Sequence, residues 1–531
     1  MQRETELRST QDFRSSWAIL ERKRTARRGV LALALIVLAS LALRLQISSQ
    51  CALWLDEAST FLDVGRHWPA VLAGPSREHP PLMYVVVKLV TGVLGTSETA
   101  LRAVSLFFGC ILLIAMYELC RELRLNVARS LVVVATLALC PFFIRHTTEA
   151  RQYAMLAAFI TLATTRVVRG PGRFLDVFVF AVAALAAAYT QYFGLAYALA
   201  LLGTMLLGIP RAWRRVGWLG WVLRIGVLVG LLKLLGDVAV RAAALGRFYD
   251  TSRTVTDAGI SINTDLLRAI TDEFSFFVVY DSKWFVVEPL LVLLGLTLLT
   301  WRLRGPARLL PFGIGVAPCI AVLFISAGHF IAARYLVPSA IFYHLAACLA
   351  LFEACALAQR VLTRSARAKV FARAAAALVL ATLFSLRFAE FPVGYAIGLA
   401  DYRGLQRYLV DHAKDTRLVA FYGYFGQILM GRTYDIGSNP IRLESFRPVR
   451  GIDHYLVAEF HVGNSPERNA ELESRVERLF ALSPEAWRSL PLVPLAHSSY
   501  QPPVMARLVE VPKGHVYPAF KKRRHPKRRA S

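Results

Sequence analysis

The chain is 531 residues long, 56% of them hydrophobic, with a mean hydropathy of +0.46. Apolar runs of about 17–20 residues recur between short basic connectors, the length a helix needs to cross a bilayer, and this excludes an ordinary soluble domain. A formal net charge of +26 would suit a nucleic-acid binder only if its Lys and Arg formed one surface. Many of them sit in the connectors instead, as membrane topology demands, and nucleic acid is not expected as a partner.

Residues 1–28 are polar and basic, with Arg22, Lys23, Arg24, Arg27 and Arg28 ahead of the apolar run 29–43. The charged lead is long and no small-residue cleavage site follows, so the run reads as an uncleaved first span with a cytoplasmic N-terminus. An outer loop, 46–102, comes next. It holds the acid pair Asp56-Glu57, expected in loop conformation, and then Glu78-His79-Pro80-Pro81 leading into Leu82–Leu94. That last segment has about 13 apolar residues interrupted by Lys88, too few to span about 30 Å of hydrocarbon.

Loop charge gives an independent test of this reading. If Leu82–Leu94 does not cross, further spans fall near 103–119, 128–142, 150–167, 174–190, 193–209, 218–235, 284–301, 308–327, 335–357 and 370–388. The Arg-rich connectors 121–129, 169–173, 210–215, 302–308 and 359–373 then all face the cytoplasm; if it does cross, all five fall outside. The positive-inside rule therefore makes Leu82–Leu94 a helix lying in the outer interface and the whole a polytopic α-helical membrane protein of about eleven spans. The membrane domain is 29–390, with a second outer loop at 236–283.

Composition changes after Arg387. Residues 391–515 carry ordinary charge and turn residues and read as a small extracytoplasmic α/β domain. Strands are expected at 416–421, 454–460, 491–497 and 504–510, and helices at 401–413, 424–431 and 466–480. Residues 516–531 form a basic tail suited to anionic headgroups. Six of the seven cysteines lie in or beside apolar segments, without metal-ligand spacing, so neither a disulfide framework nor a zinc site is indicated.

This topology collects the unusual polar residues on the outer side. An acid pair is ordinarily just solvated. Trp54, Leu55 and Phe61 bracket Asp56 and Glu57 at the interface, where a carboxylate near cations can stay ionised and still accept a proton from a hydroxyl. His79 is either a polar residue at a helix start or a substrate contact. Arg145, His146, Glu149, Arg151 and Tyr153 lie at the outer end of a hairpin, where Arg145 and Arg151 either pair with Glu149 or bind a phosphate. Arg334-Tyr335 opens another span from the same side, and together with Arg151 and Tyr153 would make a phosphate clamp, since a guanidinium binds phosphate oxygens in a bidentate way. No nucleotide-binding glycine loop, HExxH or GxSxG occurs.

The outer Asp-Glu, the following H-P-P-L-M-Y, then L-R-A-V-S, E-A-R-Q-Y-A and A-R-Y-L-V-P resemble the GT-C membrane glycosyltransferases over about residues 29–340. Within them the chain is similar to the branch of protein O-mannosyltransferases and bacterial lipid A aminoarabinose transferases, although its C-terminal α/β domain departs from the eukaryotic mannosyltransferases. The resemblance implies a polyprenyl-phosphate-linked sugar as donor and a lipid, protein or glycan as acceptor, with transfer outside the cytoplasm of the inner membrane and inversion at the anomeric carbon. It makes Asp56 the base, lets Glu57 and His79 position acceptor or donor, and gives Arg151, Tyr153 and Arg334 the leaving phosphate. No cofactor is expected, and a divalent metal stays open. Two alternatives share these features: a lipid-linked oligosaccharide ligase or polymerase, and a non-enzymatic polyprenyl-lipid transporter. A transporter would ordinarily carry midplane carboxylates, and acidic residues are nearly absent from the spans.

Overall fold

The computed structural model describes residues 2–207 except 52, 54, 75–78 and 171–172, together with 218, 222–236, 287–319 and 333–362. Beyond these it describes 417–420, 441–442, 454–459, 483, 485–486, 492–495 and 504–510, and residues 2–23 as backbone alone. The chain parts into two compact units, Met1–Ser49 with Asp63–Phe391 and Gln50–Leu62 with Pro392–Ser531. The expected span 370–388, outer loop 236–283, helices 401–413, 424–431 and 466–480, and tail 516–531 lie outside the described residues.

The first unit is a helical bundle. Its helices include α1 (Gln2–Gln50), α3 (Trp68–Leu72), α4 (Leu82–Leu94), α5 (Glu98–Glu122), α6 (Val127–Leu139), α7 (Pro141–Thr148), α8 (Tyr153–Arg169), α9 (Phe174–Thr190), α10 (Tyr192–Leu207), α11 (Val287–Arg302) and α12 (Val337–Leu362). The short helix α2 (Leu55–Val64) begins in the second unit and ends in the first. Local chemistry sets several boundaries. Ser97 caps α5 by accepting from the Ala100 N–H at 3.2 Å, and Asn126 caps α6 through the Arg129 N–H at 2.8 Å. Gly170 closes α8 with φ +84°, a conformation that a Cβ would strain, and the chain turns there into α9.

Among the described residues three helices are long and apolar enough to cross a membrane: Arg24–Gln50, Glu98–Glu122 and Arg334–Leu357. The pair α6 and α7, bent by 64°, makes a fourth if counted as one span. Helices α9, α10 and α11 are apolar but hold only 16–17 residues, about 24–26 Å at 1.5 Å per residue. By that measure the described residues hold up to four of the expected eleven spans. The chain is a membrane protein. Val30, Leu31, Leu35 and Leu38 on α1 are exposed, as an outer helix facing lipid requires.

The bend between α6 and α7 has a chemical cause. Pro141 lacks an N–H and cannot continue the ladder, so Cys140 turns extended and α7 restarts. The break leaves the Ala138 carbonyl without its intrahelical donor, and Arg44 of α1 supplies one from Nη1 at 3.1 Å. Arg44 also donates from Nε to the Thr147 hydroxyl at 2.6 Å and to Ser40, and Thr147 in turn donates to the Phe143 carbonyl. Gly109 of α5 lets α7 approach: a Cβ there would lie 3.1 Å from Thr147 Cβ.

The bundle has two chemically distinct ends. At one, Arg166 and Arg169 of α8 pair with Glu118 of α5 and Asp176 of α9, at 2.6–3.5 Å. Arg129 of α6 and Arg302 of α11 both pair with Glu353 of α12 at that end. Gly29 of α1 packs there against Tyr117 and Val127. The N-terminal flank and the connectors 121–129, 169–173 and 302–308 therefore share one face. The helices α5, α8 and α9 reach the opposite end near Arg102, Tyr153 and Thr190, and α12 is entered there from the turn Ala333–Leu336.

The helix α4 has the expected bounds and lies against α5 and α9. Pro81 is its N-cap. Lys88, which interrupts the apolar run, donates from Nζ to the Val64 and Arg66 carbonyls at 2.8 Å and lies over the Trp68 ring. The interruption thus pins α4 to the ends of α2 and α3.

In the second unit five strands, β1 (Arg417–Ala420), β2 (Ile441–Arg442), β3 (His454–Glu459), β4 (Leu492–Leu495) and β5 (Val504–Glu510), form one sheet in the order β2-β1-β3-β5-β4. The β2-β1-β3 part is parallel, and β5 runs antiparallel to both β3 and β4. The strand β2 was not expected from the sequence; at two residues it is too short for any alternation to register.

Candidate active site

The acid pair does not lie in a loop. Asp56 and Glu57 occupy the first turn of α2, where the unpaired N–H groups and the helix dipole favour carboxylates. Their places on that turn differ: Glu57 is buried at 1% exposure, and Asp56 is half-buried. The Thr60 hydroxyl donates back to the Asp56 carbonyl at 3.1 Å, as a helical turn allows. Of the two, Asp56 has the access a proton acceptor needs.

The remaining sequence candidates come together in the first unit, around the turn from α7 into α8. Arg151 Nη2 reaches His79 Nε2 at 3.2 Å, and Gln152 Nε2 faces the same nitrogen at 3.4 Å. Two donors converging on Nε2 require its lone pair, so the ring carries its proton on Nδ1 and is neutral. Burial, and then the guanidinium charges of Arg151 and Arg334, push the imidazole down to about 3, in agreement with the geometry. Arg334, far along the chain, thus acts on the same ring.

Glu149 follows α7 and is buried. It accepts from Arg145 Nε at 3.0 Å and lies 3.4 Å from His146 Nδ1. Burial would raise this carboxyl, but the hydrogen bond and charge of His146, then Arg145 and Arg334, outweigh it and hold the group down at about 2. Arg145 thus forms the local pair with Glu149 that the sequence offered. Arg151 is held from its backbone instead: its N–H donates to the Glu149 carbonyl at 2.7 Å, and its own carbonyl accepts from the Ser105 hydroxyl at 3.1 Å.

Aromatic rings line the same turn. Tyr153 lies 5.1 Å from the His146 ring and 6.5 Å from Tyr335, and Tyr335 stacks on Phe193 of α10 at 5.2 Å with an interplanar angle of 12°. The turn Ala333–Leu336 therefore brings Arg334-Tyr335 beside the α7–α8 turn and the start of α10. Among the described residues no group of three or more His, Cys, Asp and Glu is placed to hold a metal ion.

Several further residues of these motifs hold the site together. In L-R-A-V-S, Arg102 donates from Nη1 to the Ser48 carbonyl of α1 at 2.9 Å, and Ser105 holds the Arg151 carbonyl. In E-A-R-Q-Y, Gln152 is the second donor to His79. Phe193 had no signal, because an aromatic residue in an apolar run is ordinary.

No family model and no curated protein matches the chain. Solved structures do. The apo ArnT of Cupriavidus metallidurans aligns over 91% of this chain and 98% of its own, with a TM-score of 0.50 and 14% identity. The oligosaccharyltransferase AglB of Archaeoglobus fulgidus, solved with an inhibitory peptide and a dolichol-phosphate, aligns over 81% of this chain and 69% of its own, with a TM-score of 0.50 and 12% identity. An apo oligosaccharyltransferase structure from the same organism is matched over 56% of its length at a TM-score of 0.46, so the chain spans a little over half of it. The fold is that of the GT-C membrane glycosyltransferases.

Proposed function

We propose that the protein is an inverting glycosyltransferase. It moves a sugar from a polyprenyl-phosphate donor to a lipid, protein or glycan acceptor at the outer face of the inner membrane. The observation that carries this reading is the contact of Arg151 with the neutral ring of His79, together with the turn Ala333–Leu336, which brings Tyr335 beside Tyr153 and the Arg334 charge near the same ring. Two permanent cations held beside an uncharged imidazole form a site for an anion, and guanidinium groups suit phosphate oxygens.

The chemistry follows from that placement. The acceptor oxygen attacks the anomeric carbon from the face opposite the phosphate, and its proton passes to a general base, the role that the sequence resemblance gives to Asp56. The bond between the anomeric carbon and the phosphate oxygen breaks with its electron pair going to that oxygen. A phosphodiester with one negative charge thereby becomes a monoester with more, and Arg151 and Arg334 stabilise the charge as it develops. His79 is a positioning residue, its Nε2 lone pair orienting the Arg151 guanidinium. Outer-face transfer is supported by the Arg-rich connectors sharing the end of the bundle opposite these residues.

The test is incubation of purified protein with polyprenyl-phosphate sugars, together with mass spectrometry of surface glycans and glycolipids from a deletion strain. Release of polyprenyl phosphate and loss of one glycan or glycolipid are expected. Movement of the intact donor across a vesicle membrane without release would overturn the reading in favour of a transporter.

A further inference from the structure

The junction of α9 and α10 holds a second polar feature that the arginines do not account for. Gln191 stands between Thr190, the last residue of α9, and Tyr192, the first of α10. It is 1% exposed, and neither Nε2 nor Oε1 has a hydrogen-bond partner among the described residues. Its backbone, by contrast, is fully engaged: the N–H donates to the Ala187 carbonyl at 3.2 Å, and the carbonyl accepts from the Gly194 N–H at 2.8 Å. Gly194 is required for the turn, since a Cβ there would collide with the Ala187 carbonyl and the Leu156 side chain. An amide buried so, without partners among the described residues, is costly.

Chain direction places this amide at the site end. The helix α8 starts at Tyr153 and runs to the ion-paired end at Arg169; α9 starts there, where Asp176 meets Arg166 and Arg169, and returns to Thr190. Two residues beyond Gln191, Phe193 stacks on Tyr335, the neighbour of Arg334. A primary amide offers donors and an acceptor together. That matches a sugar hydroxyl, which also donates and accepts, better than a phosphate, which only accepts and already has two guanidinium groups.

We infer that Gln191 is a sugar-recognition residue, its amide hydrogen-bonding a hydroxyl of the glycosyl group carried on the polyprenyl phosphate. This rests on the proposed transferase reading and deepens it. The unsatisfied amide is then the vacant half of a substrate contact, and its burial cost is recovered when the sugar binds.

The test compares Gln191→Met, of similar volume without polar atoms, and Gln191→Asn, which withdraws the amide by one methylene, against wild type. Binding of undecaprenyl phosphate is measured beside binding of a panel of undecaprenyl-phosphate hexoses and pentoses, together with turnover of the sugar that wild type prefers. Both variants should bind undecaprenyl phosphate as wild type does and lose about tenfold in affinity and in kcat/KM for the preferred sugar donor, the size of one neutral hydrogen bond. Unliganded Gln191→Met should melt no lower than wild type, because it removes an unpaired polar group. If Gln191→Met melts lower, Gln191→Asn alone decides by its sugar-donor affinity. Sugar donors bound as tightly as by wild type would overturn the inference while leaving the transferase reading intact. Wild type that binds neither the phosphate nor any sugar donor would overturn both.

Discussion

His79 and Arg151, 72 residues apart in sequence, meet at 3.2 Å between Nε2 and Nη2. The contact joins the segment before α4 to the turn before α8, and it works only while the imidazole is neutral. A protonated ring would set an N–H against the donors of Arg151 and Gln152, beside the charge of Arg334. The pH dependence follows from this.

The unfolded imidazole takes up a proton near pH 6.5, whereas the folded one resists until about 3. Stability should therefore be full above pH 6.5 and fall progressively below it, because the unfolded state gains a proton that the native state refuses. Glu149, held near 2 against an ordinary 4.5, acts in the same direction: its contribution is present above pH 4.5 and is lost as pH falls toward 2. Thermal midpoints in detergent, measured from pH 7.5 to 4.5, should decline more steeply for wild type than for His79→Gln. Parallel curves would remove His79 from the account.

The two guanidinium groups invite a substitution that keeps charge and changes shape. Arg151→Lys and Arg334→Lys each retain a cation but lose the planar fork, and Arg151→Lys also loses the fixed approach to His79. Each should lower turnover with a polyprenyl-phosphate sugar by about tenfold or more, in line with a lost charge-assisted hydrogen bond of about 1.5–3 kcal/mol. Both variants turning over like wild type would mean that the phosphate is held elsewhere.

Asp56 supplies a different test, because the role proposed for it is to take a proton. Asp56→Asn preserves size and hydrogen bonding but cannot accept one, and loss of a general base typically costs about 10²–10⁴-fold in rate. Donor affinity should change little, as the phosphate contacts proposed here belong to other residues. Glu57 is the buried member of the pair, so Glu57→Gln should act mainly on stability. Transfer assays with donor binding in parallel distinguish these outcomes. Full activity in Asp56→Asn would leave the reaction without its base.

Arg44 tests the architecture rather than the chemistry. It is buried in the α1 span and serves the Ala138 carbonyl, Thr147 and Ser40. Arg44→Met keeps the length of the side chain but strips the carbonyl at the α6–α7 break of its donor. A loss of about 1–3 kcal/mol is expected, seen as a lower thermal midpoint. Thr147→Val should cost less, because the guanidinium keeps its other acceptors. An unchanged midpoint in Arg44→Met would mean that Pro141 alone maintains the bend.

Length and charge settled much in advance. Runs of apolar residues must become helices in a bilayer, since every backbone polar group has to be satisfied within the segment. The basic connectors mark which helix ends share a side, and ion pairs centred on Glu118, Asp176 and Glu353 join three of them at one end of the bundle. The bounds of α4 were legible for the same reason, as was the cluster in E-A-R-Q-Y, where charge stands out in an apolar sequence. The tertiary structure decided everything that depends on direction. A membrane helix is apolar on all sides, so its sequence carries no face, and nothing in the chain marks Arg44 for Ala138, Ser105 for Arg151 or Phe193 for Tyr335. The helical turn at Asp56-Glu57 was equally hidden, because an acid pair suits a loop and a helix N-terminus alike. Which polar groups stay unsatisfied can be counted only after packing has assigned all the others, and for that reason Gln191 could not be singled out from sequence.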